Sequence, residues 1–235
     1  MKRLIYLTPF SLLLIAALVV ILILMIPLLF LGLIGSAFSK LGFGLAGILL
    51  ILVATIAGSF FNIPVMRIKS DPEVIRVPHG RLMDFRYRPQ FSGGITIIAV
   101  NIGGAVVPFL VSTYLLARVF IFQERSGILF SSLAGIMIVA AVSYFVAKPV
   151  PGVGVGIPIL IPPLSALICG LVLSFGISGA APVIAYVSGT LGTLIGADLL
   201  NLRKMSSVGA DMVSIGGAGT FDGIFLTGII AALLA

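Results

Sequence analysis

Long runs of apolar residues dominate this chain and constrain its fold more than any other feature. Several runs exceed about 18 residues, the length at which a helix can cross a bilayer. Sixty per cent of the residues are hydrophobic, only 9% are charged, and the mean hydropathy is +1.31. The alternating segments of about ten residues that build a membrane barrel do not occur. We therefore predict an all-α membrane protein with a single polytopic domain over residues 1–235.

Seven of the runs are predicted to be transmembrane helices. They cover residues 12–34, 41–61, 93–120, 127–146, 163–175, 182–200 and 213–235. With the N-terminus inside, this arrangement places only Lys40, Arg118 and Arg125 outside, and the other eleven of the 14 Lys and Arg residues inside. Because basic residues concentrate in cytoplasmic loops, we expect a cytoplasmic N-terminus and an external C-terminus.

The segment 62–91 is the one sizeable polar stretch and is predicted to be a basic cytoplasmic loop. Its four prolines exclude a long helix. Its cations are interpreted as an anchor for anionic lipid, with substrate docking as the alternative. The net charge of +7 follows from such loops, and membrane lipid, not nucleic acid, is the expected partner. His79 is the only histidine and Cys169 the only cysteine, so we expect no metal, no cofactor and no internal disulfide.

Two aspartates lie inside predicted transmembrane helices, in the two-helix segment 182–235. Asp198 follows Leu-Ile-Gly-Ala in the sixth span, and Asp222 follows Ala-Gly-Thr-Phe in the seventh. A carboxylate near the centre of a membrane helix costs about 2.5–3.5 kcal/mol to insert, so such residues usually have a function. Two adjacent carboxyls favour one shared proton, and then one can activate water while the other polarises a carbonyl. Asp198 and Asp222 are therefore the candidate catalytic residues.

Small residues surround both aspartates and are candidate supporting residues. Gly196 lies two positions before Asp198, and Gly219 and Gly223 flank Asp222. Small residues at these positions allow close approach of neighbouring backbones.

The glycines of the sixth span also predict how that helix packs. Gly189, Gly192 and Gly196 share one helical face, and Asp198 projects about 140° away from it. We expect the glycine face to pack against another helix while Asp198 faces a separate crevice.

Three further residues are candidates for lining a cavity at the aspartates. Asn101 is polar within the third span, where a hydrogen bond between helices is the alternative role. Pro162 and Pro163 belong to the stretch 148–165, which contains five prolines and three alternating glycines. Irregular backbone at membrane depth occurs only where protein or a water-filled cavity covers it. This stretch is therefore expected either to line the cavity or to form a loop.

The sequence Gly-Thr-Phe-Asp-Gly-Ile-Phe-Leu at 219–226, with one aspartate on each of two consecutive spans, resembles the Gly-x-Gly-Asp intramembrane aspartyl proteases. This group includes presenilin and signal peptide peptidase. The resemblance implies that Asp198 and Asp222 are the two catalytic aspartates and that Gly219 is the first motif glycine. It also implies a membrane-spanning peptide as the substrate.

The sequence departs from that group at two positions beside the aspartates. Phe221 and Ala197 stand where the group has glycine and tyrosine, and the Pro-Ala-Leu motif of the group is absent from the sequence. The chain as a whole also resembles an uncharacterised family of small prokaryotic polytopic membrane proteins. That second resemblance implies a multi-pass protein of a prokaryotic plasma membrane.

Two other functions stay open at this point, as does the oligomeric state. A transporter or ion pathway would bind protons or cations at Asp198 and Asp222. The additional polar ligands expected for that function are Asn101, Thr193 and Thr220. A non-catalytic scaffold would use the aspartates to cap frayed helix ends or to pair with Arg203.

Overall fold

A computed structural model describes residues 9–69, 95–122, 126–150, 154–205, 210–217 and 222–235. Over these residues the chain is mainly helical. Its α-helices are α1 (Pro9–Lys40), α2 (Leu45–Gly58), α3 (Val107–Phe122), α4 (Ser126–Val146), α5 (Ile161–Leu173), α6 (Ala180–Thr193), α7 (Leu202–Met205) and α8 (Gly223–Leu234). Two π-helical segments, Ile102–Val106 and Leu194–Leu199, run directly into α3 and out of α6.

Four of the helical runs are long and apolar enough to cross a membrane. They are Leu12–Lys40, Ile102–Ile121, Ser126–Val146 and Ala180–Leu199. The shorter apolar helices are Leu45–Gly58, Ile161–Leu173 and Gly223–Leu234. Large apolar side chains remain exposed along these helices, as a hydrocarbon environment permits. The chain is thus a helical membrane protein, and the prediction of a seven-span topology stays a prediction.

Helix α6 is the centre of the bundle and packs against α3, α4, α5 and α8. The Tyr186 side chain on α6 is fully buried, and its ring lies 6.1 Å from the ring of Phe38 near the end of α1. The Phe38 ring lies 6.4 Å from the ring of Phe225 on α8. These three aromatic rings join the first and last helices to the central one.

Glycines bring α6 unusually close to its neighbours. A Cβ at Gly192 would lie 2.7 Å from Cβ of Val139, and a Cβ at Gly196 would collide with the carbonyl oxygen of Ala140. Both contacts are with α4, so the expected packing of the glycine face against another helix is confirmed for these two residues. A Cβ at Gly189 would instead lie 3.1 Å from Ala166 on α5 and from Thr227 on α8. The α6 backbone can approach α4 this closely only because no side chain lies between them.

One end of the bundle is built from strands. The sheet has the order β1 (Asn62–Lys69), β2 (Ile95–Asn101), β5 (Met212–Ile215), with β1 antiparallel and β5 parallel to β2. A separate hairpin pairs β3 (Lys148–Val150) with β4 (Gly154–Gly156). The short helices α2, α5 and α8 each have an end near these strands. At 1.5 Å per residue α8 is only about 18 Å long, against a hydrocarbon core of about 30 Å.

A buried polar network holds the sheet to α2. Asn101, fully buried at the end of β2, donates from Nδ2 to the Ser59 carbonyl (2.8 Å) and to Asn62 Oδ1 (3.1 Å). Its Oδ1 accepts from the amide of Gly104 (2.7 Å), and Ser214 Oγ on β5 donates to Asn62 Oδ1 (2.7 Å). The network supplies partners for buried polar groups that would otherwise be costly.

Two sequence-based assignments are wrong in part. The third predicted span begins with the strand β2, and the seventh begins with β5 and a turn, so neither is helical throughout. The predicted loop 62–91 begins with the strand β1; its remainder, including His79, lies outside the described residues. A short apolar run fits a buried strand as well as a helix, and periodicity alone does not separate the two.

The close approach of α6 to α4 leads to a first prediction. Gly196→Ala should destabilise the protein by about 1–3 kcal/mol, because the added methyl group meets backbone that cannot move aside. Gly32→Ala on α1 is the matched control, since a Cβ there meets no atom within 4 Å. Thermal unfolding in detergent should show a lower midpoint for Gly196→Ala only. Equal midpoints for the two variants would contradict the packing.

Candidate functional site

Asp198 lies in the π-helical segment that ends the central helix. The wide turn is closed by a bond from the Leu200 amide to the Ile195 carbonyl (2.9 Å). Asn201, fully buried just beyond, donates from Nδ2 to the Gly196 carbonyl (2.8 Å) and from its amide to the Asp198 carbonyl (3.2 Å). Single π-turns of this kind occur frequently at functional sites. Here the hydrogen bonds of Leu200 and Asn201 fix the backbone on both sides of Asp198.

The Asp198 carboxyl reaches from the helix to the turn that follows β5. Its Oδ2 accepts a hydrogen bond of 2.9 Å from the amide of Gly216. The side chain is partly buried, so its polar atoms need such a partner but keep some access from outside. The bond engages only Oδ2, and Oδ1 retains its capacity to accept a proton.

Asp222 begins α8 and does not lie in the middle of a helix. Its backbone is extended (φ −61°, ψ 165°), and its carbonyl accepts the amide of Leu226 (2.9 Å). The carboxyl forms no capping hydrogen bond, although it faces the amides of Gly223 and Ile224 at the positive end of the helix. The prediction that Asp222 lies inside the seventh helix is therefore wrong, because strand β5 and the turn at Gly216–Gly217 precede it and α8 begins only at Gly223.

The two carboxyls meet the same turn on adjacent residues. Gly216 donates its amide to Asp198, and a Cβ at Gly217 would collide with the carboxyl of Asp222. The two side chains are also close enough to interact electrostatically. The Gly216–Gly217 dipeptide thus brings two aspartates together. Asp198 comes from the end of the sixth apolar segment, and Asp222 directly precedes α8.

Only glycine suits both positions of that turn. Gly216 and Gly217 have φ values of +80° and +72°, a left-handed conformation that strains other residues. A Cβ at Gly216 would also lie 2.6 Å from the amide nitrogen of Ala105, and a Cβ at Gly104 would collide with the Gly216 carbonyl oxygen. The turn is pressed against the π-helical segment before α3, which prevents it from moving away from the aspartates.

The hairpin of β3 and β4 borders the pair on another side. A Cβ at Gly223 would lie 3.8 Å from Cδ1 of Ile157, and one at Gly154 would lie 3.2 Å from Cγ1 of Val213. From the sequence, the stretch 148–165 is expected either to line the cavity or to form a loop. Its residue Ile157 lies beside Gly223, the neighbour of Asp222.

The remaining predicted site residues occupy different places. Gly196 packs on α4, and Gly223 is the first residue of α8. Asn101 belongs to the buried network and reaches the aspartate turn only through Gly104. Pro162 and Pro163 are buried in the first turn of α5. Gly219, with Thr220 and Phe221, lies outside the described residues.

Sequence reasoning missed the residues that hold the pair in place. The Gly216–Gly217 turn had a signal, since consecutive glycines commonly mark a turn. Asn201 had a weaker sequence signal, since it is a polar side chain directly after an apolar run. Nothing local in the sequence connects Asn62 to Ser214, because they meet only through the sheet. Within the described ranges, no three His, Cys, Asp or Glu residues cluster as a metal site would require.

The fold and the site together define a class, a helical membrane protein with two aspartates at one glycine turn. Residues 56–234 match the family model DUF1614, described as a protein of unknown function. The match covers well over half of the chain, which therefore belongs to the DUF1614 family. No curated protein and no solved structure matches the sequence.

The bond between Gly216 and Asp198 leads to a second prediction. Asp198→Ala should lower stability by about 1–3 kcal/mol, because it leaves the Gly216 amide without an acceptor in a buried turn. Asp198→Asn should stay close to wild type, since its amide oxygen can accept the same bond. Thermal unfolding of both variants in one detergent separates the two effects. If Asn and Ala proved equally destabilising, the bond would not be the structural role of this side chain.

Proposed function

We propose that this protein is an intramembrane aspartyl protease that cleaves membrane-spanning peptides with Asp198 and Asp222. One observation carries the proposal, namely that both carboxyls meet the Gly216–Gly217 turn. Two carboxyls held by one rigid turn can divide a single proton between them. The resemblance of the sequence around Asp222 to the Gly-x-Gly-Asp proteases supports the same reaction.

The proposed reaction needs one protonated and one ionised carboxyl. The ionised one removes a proton from water as the water oxygen attacks the peptide carbonyl carbon, and the protonated one donates its proton to the carbonyl oxygen. The resulting tetrahedral diol collapses when the C–N bond breaks: the protonated carboxyl donates its proton to the leaving nitrogen, and the ionised carboxyl takes a proton from one hydroxyl of the diol. The peptide is split into an acid and an amine, and the pair again holds one proton.

Water can reach such a pair only if the bundle is open to it at this depth. The short helix α8 begins at Asp222, and strands and π-turns build the adjacent end of the bundle. Irregular backbone in a membrane protein is found where protein covers it or where it lines a water-filled cavity. Partial exposure of both aspartates supports a hydrated crevice.

The proposed orientation has seven crossings, a cytoplasmic N-terminus and the aspartates in the cytoplasmic half. The three short apolar helices would complete the four long ones, and the positive-inside rule supports the sidedness. The substrate would then enter from the lipid and meet water from the cytoplasmic side.

The scaffold alternative uses the two aspartates to cap helix ends or to pair with Arg203. Asp222 stands at the start of α8, and its carboxyl faces the amides of Gly223 and Ile224 while also packing on Gly217, so a capping role is compatible with its position. Capping by Asp222 does not account for Asp198, whose carboxyl accepts a hydrogen bond from the Gly216 amide.

A third prediction follows for activity in proteoliposomes. Single-span reporter peptides should be cut by the wild type, and either Asp198→Asn or Asp222→Asn should abolish cleavage. The double variant should lose no more than each single variant, because residues that act as a unit are not additive. Asp211→Asn is the control, since Asp211 is an exposed aspartate just before β5 and should leave the rate unchanged. Fragments are identified by mass spectrometry.

A substrate-independent measurement guards against an unsuitable reporter. With an epoxide probe, an ionised carboxylate opens the ring while its protonated neighbour donates to the ring oxygen, so labelling requires both groups. Labelling should occur in the wild type and in Asp211→Asn, and should vanish in either Asn variant of the pair. Unlabelled wild type together with aspartate-dependent proton or cation flux would reject the protease in favour of a transporter.

A further inference from the structure

The opposite end of the bundle carries a cavity that the proposed protease does not use. Its volume is about 150 Å³, and it lies where α1, α3, α4 and α6 have their ends. A water molecule needs only about 15 Å³ of such space, so a tetrahedral oxyanion fits. The lining residues are Lys40, Leu41, Gly42, Leu115, Arg118, Val119, Ile128, Ser178, Gly179 and Val183.

The charged side chains described in this lining are both cations. Two cations, Lys40 and Arg118, face a cavity whose described lining contains no acidic side chain. Lys40 donates from Nζ to the Leu233 carbonyl (2.6 Å), and Arg118 donates from Nη1 to the carbonyls of Leu41 (3.2 Å) and Gly42 (3.4 Å). A lysine has three donors and an arginine five, so each retains donors for a ligand.

The turn at Gly42 leaves room for the Arg118 side chain and holds it in place. Gly42 has φ +85°, and a Cβ there would lie 2.6 Å from Nη1 of Arg118. Any larger residue at position 42 would displace the guanidinium. This turn, together with the two backbone carbonyls, fixes the orientation of the planar group, which is suited to oxyanions.

The start of α6 adds a favourable dipole at the same cavity. Gly179 is the residue before the helix, with φ +75°, and no side chain caps the first turn. The Ala180 amide donates to the Ile177 carbonyl (3.1 Å) and Pro182 has no amide hydrogen, so the helix end contributes mainly the partial positive charge of its N-terminus. Anions bind readily in such a position, and here two cations lie around the same space.

We propose that this cavity binds a phosphate group, carried by an anionic phospholipid or free in solution. Exposed apolar side chains surround this end, including Phe120 and Phe175, and the exposed Tyr114 lies one turn from Arg118. Tyrosine is enriched at the interface where lipid headgroups lie. On the proposed orientation the cavity is at the outer face, away from the aspartates, and its occupancy does not depend on protease activity.

The test measures binding of phosphate and of lipid to the purified full-length chain. Arms with inorganic phosphate alone and with nanodiscs of phosphatidylglycerol or phosphatidylcholine distinguish the two sources. If the ligand is a free anion, we expect saturable binding of inorganic phosphate. If it is a lipid headgroup, we expect native mass spectra to show retention of phosphatidylglycerol over phosphatidylcholine. In both cases Arg118→Gln should weaken the binding affinity by about tenfold, the effect of losing one charged hydrogen bond. Lys148→Gln, an exposed cation on β3, is the control.

A second variant separates binding from folding. Ser178→Asp places a negative charge beside the α6 N-terminus, where it favours the helix but occupies the site of the anion. It should abolish binding while thermal stability is kept or raised, and this outcome does not require Arg118→Gln to fold. Binding that is absent in the wild type, or that is equal in Ser178→Asp and wild type, overturns the proposal.

Discussion

Two consecutive glycines with positive φ hold the candidate site together. The Gly216 amide binds one carboxyl, the bare Cα of Gly217 makes room for the other, and the Gly216 carbonyl rests on Gly104. The positive φ values and the close contacts of this turn require the absence of a side chain at Gly216, Gly217 and Gly104. A carboxylate without such partners is costly at membrane depth, so the turn gives both aspartates a place that the fold can tolerate. It also fixes their relation to each other.

The rest of the bundle keeps this turn in position. Parallel pairing of β5 with β2 carries the chain to Gly216, and the network around Asn101 joins that sheet to α2. From the other side, the glycine face of α6 presses on α4, so the end of α6 cannot rotate without meeting the Ala140 carbonyl. The aspartates therefore belong to two elements that are independently anchored.

The long apolar elements could be predicted from sequence alone. Helix α4 begins within one residue of the prediction, and the helical projection that separated Asp198 from the glycine face also holds. Both follow from composition and from the helical period, which are local properties. The strands could not be recognised in this way, because Ile95–Asn101 and Met212–Ile215 are short, apolar and compatible with either period. Their identity depends on pairing between segments more than a hundred residues apart.

That error had a direct consequence for the site. A single helix over residues 213–235 places Asp222 within a helix. In the structure β5 and the glycine turn replace the first part of that helix, and both aspartates meet the turn. The Gly216–Gly217 pair was visible in the sequence, but its partners were not, because Asp198 and Gly104 meet it only in the folded chain.

The most direct test of this account is cross-linking between positions 198 and 222. Cys169 is the only cysteine, so Asp198→Cys and Asp222→Cys can be introduced in a Cys169→Ser background. Control pairs combine Asp198→Cys with Ser178→Cys, about 30 Å away along α6. We predict rapid intramolecular bridging of 198 and 222 in membranes by a methylene-linked bis(methanethiosulfonate), which forms a disulfide with each thiol and releases two methanesulfinates, and none in the control. Failure of 198 and 222 to bridge, with both thiols reactive and the fold intact, would contradict the shared turn.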